Sequence, residues 1–332
     1  NVKQRDAGGF TGLGGSSIYH LDRWKFDLNN TAGRFSSDQV ADAPTGFANS
    51  LRLTCTTADT SIAADELLIF QQRIEGQNLQ TFAKGTSSAK PFAVSFYAKA
   101  NASKTYVAEL FDNDNSRQVG KTFTVGTDWT RHEISFPADT TGAFDDDNAN
   151  SMNLNIWLHG GSNFTSGTLA TSWASETAAN RAAGIGSFFS STDNTFFITG
   201  VQLEVGQNPT EFEHEPLERT LLKCRRYFIR KVTGVGFGTL GVGGHIIGGT
   251  TANVLVPLPV EMRSQGTLTS GGSLRLTAPN ADSVTVALAY GSTHIPQITA
   301  TDSGGFTDGG GNGVVLMGDN DDDAHISFDA EL

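Results

Sequence analysis

The residues of this chain that could do chemistry are few, and their spacing favours binding over reaction. Sugar rings stack on flat aromatic faces, while Asn, Asp, Gln, Arg and His bond the hydroxyls. Two short runs offer that combination. In "LNIWLHG", Trp157 and His159 are two apart and share one face of a strand. In "FQQRIEG", Gln71 and Arg73 share a face in the same way, opposite Phe70, Gln72 and Ile74. Trp173 sits in the polar loop "TLATSWASETAANRAAG", from which it could cover one end of a groove. A plainer reading stands beside each. Trp157 alternates with Ile156 and Leu158 and fits a core. Arg73 fits a buried partner for Glu75 or Glu204. Trp24 reads as core, and Trp129 as a packing residue at a sandwich edge.

Metal and catalytic patterns are weaker. Three acidic runs, "FDNDNSR" at 111–117, "FDDDNANS" at 144–151 and "GDNDDDAH" at 318–325, supply the oxygens that hard cations want. None follows the twelve-residue helix–loop–helix calcium pattern, and Asp and Asn also favour plain turns. The expectation is no cofactor, with calcium at one of these runs as the metal candidate. The seven histidines show no HExxH spacing, and no GxSxG elbow is present. "GVGFGTLGVGG" lacks the Lys-Ser/Thr of a phosphate loop and reads as a flexible loop. The chain is therefore expected not to be an enzyme.

Composition narrows the partners. The formal net charge of −12 argues against a phosphate-backbone partner, which needs clustered cations, so no nucleic acid is expected. No apolar run reaches the ~18 residues of a membrane span, so no membrane insertion is expected. Cys55 and Cys224 match no metal or redox motif and read as two buried free thiols. The chain begins with Asn1, and its first residues read as the middle of a longer polypeptide.

These residues need strands to position them. "NSLRLTCTT", "DELLIFQQRIEG", "PFAVSFYAKA", "KTYVAELFD", "WTRHEISFP" and "NLNIWLHG" alternate with period two between Gly, Asn, Asp, Ser and Thr turns. That is the pattern of a β-sandwich. "ITGVQLEVGQNPTEFE" reads as the last strand of that unit and its exit. "PLERTLLKC" reads as a short helix, since Pro suits the first helical turn. Six basic residues stand out between 219 and 231, and a further set of short strands runs to the end. The expected division is 1–213, a helical joint at 214–232, and a second unit at 233–332.

Several blocks resemble the tail fibres and related virion appendages of tailed phages. "NVKQRDAGGFTG" and "YHLDRW" are similar to the opening of their carbohydrate-binding-module-like jelly roll. "FQQRIEG", "AKPFAVSFYAKA" and "FITGVQLEVGQNPTEFEHEPLERTLLKCRRYF" look like further blocks in the same order, and "HISFDAEL" resembles the usual end of such chains. The resemblance implies a virion location, other virion proteins as partners and a homotrimer.

The combined expectation is an all-β chain: a jelly-roll β-sandwich, a short helical joint, and a second, smaller β-sandwich. The function expected is non-catalytic binding of host-surface glycan by a virion appendage, at Trp157, His159, Trp173, Gln71 and Arg73, with the C-terminal loops 303–313 as the fallback. Two rivals are a purely structural virion protein, such as a capsid-decorating or fibre-shaft protein, and the carbohydrate-binding accessory portion of a longer enzyme.

Overall fold

In the computed structural model, residues 4–5, 9–277, 281–306 and 312–332 are described. Parts of the opening block and of the fallback loops 303–313 lie outside them. The chain divides into two compact units, one of residues 9–214 with Leu332, the other of residues 4–5 with 215–331.

The first unit is a jelly roll of two antiparallel sheets. The six-stranded sheet has the order β1 (Phe10–Leu13), β4 (Arg34–Val40), β5 (Ser50–Thr57), β13 (Thr195–Val205), β7 (Phe92–Ala100), β10 (Thr130–Phe136). The seven-stranded sheet has the order β12 (Ala174–Ser175), β9 (Arg117–Val125), β8 (Lys104–Asp112), β11 (Asn150–Gly160), β6 (Leu67–Glu75), β3 (Trp24–Asn29), β2 (Ile18–Leu21). From β5 to β8 the chain changes sheet at every connection, so each sheet is assembled from distant segments. Alternation drives this. In β3, Trp24, Phe26 and Leu28 are buried while Lys25 and Asp27 point the other way and are half-buried. Phenylalanine fills the space between the sheets: Phe26, Phe35, Phe92, Phe96 and Phe196 are fully buried there. Each such side chain contributes about 1.5–3 kcal/mol relative to exposure. Trp24 is in this core, as expected.

One strand breaks the half-buried rule. Every residue of β11 from Ser151 to His159 is buried, so both of its faces are covered. Its inward face meets the core. Its outward face is covered at one end by residues 161–186, which include a one-turn helix, α1 (Ser162–Thr165).

The second unit has a smaller core and two sheets. The three-stranded sheet has the order β14 (Phe228–Val232), β23 (His325–Asp329), β17 (Thr267–Gly271). The seven-stranded sheet has the order β19 (Ala281–Asp282), β18 (Leu274–Leu276), β22 (Asn312–Gly318), β15 (Thr239–Gly248), β16 (Thr251–Leu255), β21 (Gln297–Thr301), β20 (Thr285–Tyr290). The segment 214–232 is not a separate joint. Helix α2 (Leu217–Arg225) begins at Pro216 and buries Cys224, and β14 pairs along its whole length with β23. Arg5 also belongs here, with its guanidinium on Asp329 at 2.9 Å and on Glu331 at 3.0 Å.

The second half of the glycine-rich stretch expected as a loop, from Thr239 onward, is β15. Gly241 and Gly244 serve close packing: a Cβ on Gly244 would lie 2.6 Å from the Asn253 carbonyl oxygen, and one on Gly241 2.8 Å from Val254. Gly243, at φ +67°, takes the left-handed conformation at an irregularity in the pairing.

Candidate functional site

The outward face of the first unit's seven-stranded sheet collects the chemistry. Strand register lays it out in three rows. The first runs Asp27, Ile69, Trp157, Val107, Thr122; the second Lys25, Gln71, Asn155, Glu109, Gly120; the third Arg73, Asn153, Phe111, Gln118. Long-range pairing thus assembles amides, cations, two carboxylates and aromatics that are scattered over more than a hundred residues of sequence.

The middle of the first row, Ile69, Trp157 and Val107, is sealed. Trp157 is 0% exposed and packs with Ile69, Val107 and Ala182, and with Phe164, Leu169 and Ile185 from the covering segment. Its ring lies 5.3 Å from that of Phe164. Trp157 is therefore no open stacking platform, and that expectation is corrected. The cause is the covering segment, whose apolar residues needed the same face.

The second row is a polar network centred on Glu109, which is 1% exposed. Its carboxylate accepts from Asn155 Nδ2 at 2.8 Å, Trp157 Nε1 at 2.7 Å and Arg181 Nε and Nη2 at 2.8 and 3.0 Å. Burial acts to lower the pKa of Arg181, but the attraction and hydrogen bonds of Glu109 outweigh it and raise the pKa overall. The guanidinium also lies 4.2 Å over the Phe111 ring and 5.2 Å over the Trp157 ring. Gln71 continues the chain: its Nε2 donates to Asn155 Oδ1 at 2.9 Å, and its Oε1 accepts from Arg73 Nε at 2.8 Å. Gln71 is buried and Arg73 half-buried, so the structure joins these two predicted residues. Arg73 pairs with neither Glu75 nor Glu204; its Nη1 donates to the main-chain oxygen of Leu332 at 2.8 Å.

The third row is less complete. Asn153 is 7% exposed, and its Oδ1 has no partner among the described residues. Asn113 Nδ2, in the turn after β8, has none either. The two amides touch through Asn153 Nδ2 and Asn113 Oδ1 at 3.5 Å. Exchanging N and O in both amides preserves that contact and still leaves one donor and one acceptor free. Two neighbours on β11, Asn150 Oδ1 and Ser151 Oγ, are also unpartnered. Buried polar atoms without partners are rare, and four in one strand and the turn beside it mark the place out.

His159 and Trp173 do not belong to this face's open part. His159 is 0% exposed. Its Nε2 donates to the Glu66 carboxylate at 3.0 Å, and its Nδ1 accepts from the Ser187 hydroxyl at 2.8 Å. Burial pushes its pKa below the ordinary histidine value against the pull of Glu66. Hydroxyl, imidazole and carboxylate stand in the order that activates a nucleophile. Here the Ser187 oxygen also accepts the Phe189 N–H at 3.1 Å, and the chain fastens the 187–190 turn to the sheet. Trp173 is half-buried elsewhere. Its Nε1 donates to the Pro137 carbonyl at 2.8 Å, its ring meets Phe92 at 5.7 Å, and Lys84 lies 5.2 Å above it. None of these partners is on the three rows, so the idea that it covers their groove is also corrected. Trp129 donates to Asp42 at 3.1 Å.

The acidic runs are occupied by the fold. Lys84, whose side chain is 0% exposed, puts its ammonium on Asp112 at 2.5 Å, Asp139 at 3.2 Å and the carbonyls of Thr141 and Gly142 at 2.9 and 2.7 Å. Burial raises the Asp139 pKa, but Arg117, the Thr141 N–H and Lys84 outweigh it and hold it below the usual carboxylate range. Asp114 and Asp147 accept main-chain N–H groups of Asp145 and Ala149, and Asp321 accepts those of Ser273 and Asp323. Among the described residues no group of three His, Cys, Asp or Glu is placed to hold a metal ion.

A separate shallow groove of about 500 Å³ is lined by Pro91, Lys121, Ser135, Pro137, Gln207 and Asn208. The Phe136 ring at its base is buried, which leaves that ring no free face for stacking.

No family model matches the chain, and no curated protein matches it. Solved structures do. The family 11 carbohydrate-binding module of the cellulosomal cellulase Lic26A-Cel5E from Clostridium thermocellum is 13% identical over 64% of this chain and 100% of its own, with a TM-score of 0.29. The tandem CBM22-1–CBM22-2 domain of Xyn10C from Paenibacillus barcinonensis is 9% identical over 98% of both chains, with a TM-score of 0.29. An enzymatically active domain of tailspike protein 4 from bacteriophage CBA120 is 13% identical over 55% of this chain and 19% of its own, with a TM-score of 0.31. At these scores the likenesses carry no argument, and the jelly roll rests on the strand order above.

Proposed function

We propose that the first unit binds a glycan, without catalysis, on the outward face of its seven-stranded sheet, at the row of Arg73, Asn153 and Phe111 with Asn113 beside it. The observation that carries this reading is the amide pair with one donor and one acceptor that lack partners among the described residues; both atoms are buried, so a sugar reaches them when an amide turns outward. Vicinal hydroxyls of a sugar ring match the pair, since one hydroxyl donates and its neighbour accepts. A trans acetamido group matches poorly, because its N–H and C=O point in opposite directions. Arg73, Gln71 and Asn155 are already held in place by one another, so little side-chain entropy remains to be lost on binding.

The protein in this reading is a virion appendage of the tail-fibre kind, placed on the phage particle and holding host-surface glycan. The ordered sequence blocks support that part, and they also favour three copies and contact with other virion proteins. A glycan array of plant β-glucans, xylans and bacterial surface polysaccharides, probed with the whole chain, tests the binding. Retention of one neutral glycan class, lost in Asn153→Ala and Arg73→Ala, is the expected result. No retention of any glycan would leave the purely structural reading. Labelling of intact particles with an antibody to this chain tests the location.

A further inference from the structure

The second unit carries a surface of a different kind. Strands β15, β16, β21 and β20 are adjacent, and none of them contains Asp, Glu, Lys or Arg. Their outward face runs Val242, Leu255, Gln297, Tyr290 in one row and His245, Asn253, Thr299, Ala287 in the next. Val242 is 43%, Leu255 39% and Tyr290 72% exposed. The sheet ends at β20, and no residue of that strand is buried.

Natural sheets protect such an edge with charge, proline or a cover, because its free N–H and C=O groups template further pairing. The edge strand β10 of the first unit follows that rule, carrying Arg131 and Glu133. Strand β20, "TVALAY", carries neither charge nor proline, and among the described residues only β17 of the three-stranded sheet lies beside it.

We propose that this face and the β20 edge are where a second copy of the same chain docks. Charge selects the occupant. Two chains of formal net charge −12 repel each other wherever their acidic surfaces meet. A broad surface without charge is where copies can approach without opposing carboxylates. A partner recognised by ion pairs would find nothing on these strands to pair with. Tyr290, largely exposed beside the apolar pair Val242–Leu255, is the anchor such a contact needs, since tyrosine is enriched among residues that dominate interfaces. The inference stands independently of the glycan face.

Sedimentation equilibrium of the whole chain at about 10 μM tests it, comparing wild type with Leu255→Glu, Ala287→Lys and a control, Leu222→Glu, on the exposed side of α2. The wild type and the control should assemble alike, the two face variants at least about tenfold more weakly. Assembly should tighten between 50 and 500 mM salt, as screening relieves the repulsion. Hydrogen exchange of wild type provides a readout independent of variant folding: the β20 amides should gain protection as concentration rises. A wild type that stays monomeric, face variants that assemble normally, or dissociation by salt would each overturn the proposal. So would β20 protection appearing only with another virion protein added. Leu255→Glu should still retain glycan, so loss of glycan binding and loss of assembly report on different faces.

Discussion

Both units contain a seven-stranded antiparallel sheet with one face on an apolar core, and the faces turned away from those cores differ in kind. In the first unit that face holds Glu109, Arg181, Lys25, Asp27 and Arg73 among amides, and residues 161–186 seal part of it. In the second, four adjacent strands carry threonine, asparagine and apolar residues and no charge. A buried charged network is costly to desolvate, and it persists where its members are mutually satisfied and fixed in position. A neutral exposed face involves no such cost and holds no geometry. The first is suited to recognising a small polar ligand, the second to meeting a surface like itself.

The largest expected effect breaks the first face. Glu109→Ala leaves the half-buried Arg181 guanidinium with only the more distant Glu176 carboxylate, 3.6 Å away, strips Asn155 and Trp157 of their acceptor, and should cost about 3–5 kcal/mol in denaturant unfolding. Leu255→Glu on the neutral face, measured at concentrations where the chain is monomeric, should stay within about 0.5 kcal/mol of wild type. Equal losses would mean that the contrast between the faces is false.

A smaller effect separates ligand contact from scaffold. Arg73→Ala and Asn153→Ala should change stability by less than about 1.5 kcal/mol, because each removes one or two modest hydrogen bonds. Either should weaken glycan retention about tenfold, the equivalent of about 1.4 kcal/mol. Trp157→Ala should instead destabilise the unit by about 3–5 kcal/mol, as a buried aromatic does.

The smallest effect concerns pH. His132 lies between Phe96 and Phe123, at 5.3 and 5.1 Å, and burial lowers its pKa. The unfolded chain then binds the proton more readily than the folded one. Stability should be unaffected well above the ordinary histidine value of about 6.5 and should fall as pH drops below it. His132→Phe should flatten that part of the curve in unfolding measured from pH 8 to 5. An unchanged slope would reject the assignment.

Much of the scaffold was legible because its strands follow period two. The inward set Leu68, Phe70 and Ile74 and the outward pair Gln71 and Arg73 can be read from one nine-residue strand. The same alternation marks the site's amides, since Asn153, Asn155, Trp157 and His159 are spaced by two, but an amide in a strand looks like any polar outward residue. What covers a face is not written in its own strand. Nothing local to "LNIWLHG" says that Phe164 and Leu169 will fold onto Trp157, or that Phe92 and Pro137 will hold Trp173 elsewhere. Lys84 shows no pattern at all, because it meets Asp112 and Asp139 only through loops distant in sequence. The glycine-rich strand β15 is illegible for a different reason: glycines set by close packing, such as Gly241 and Gly244, look in sequence like glycines set by flexibility.

The side-chain amide resonances of isotopically labelled protein, followed while an oligosaccharide retained on the array is titrated in, test the glycan site most directly. The account predicts saturable shifts of the Asn113 and Asn153 amides, a smaller response at Gln71, and none at Asn253 or Gln297 of the second unit. Shifts confined to Gln207 and Asn208 in the shallow groove, or to the second unit, with Asn113 and Asn153 unmoved, would contradict it.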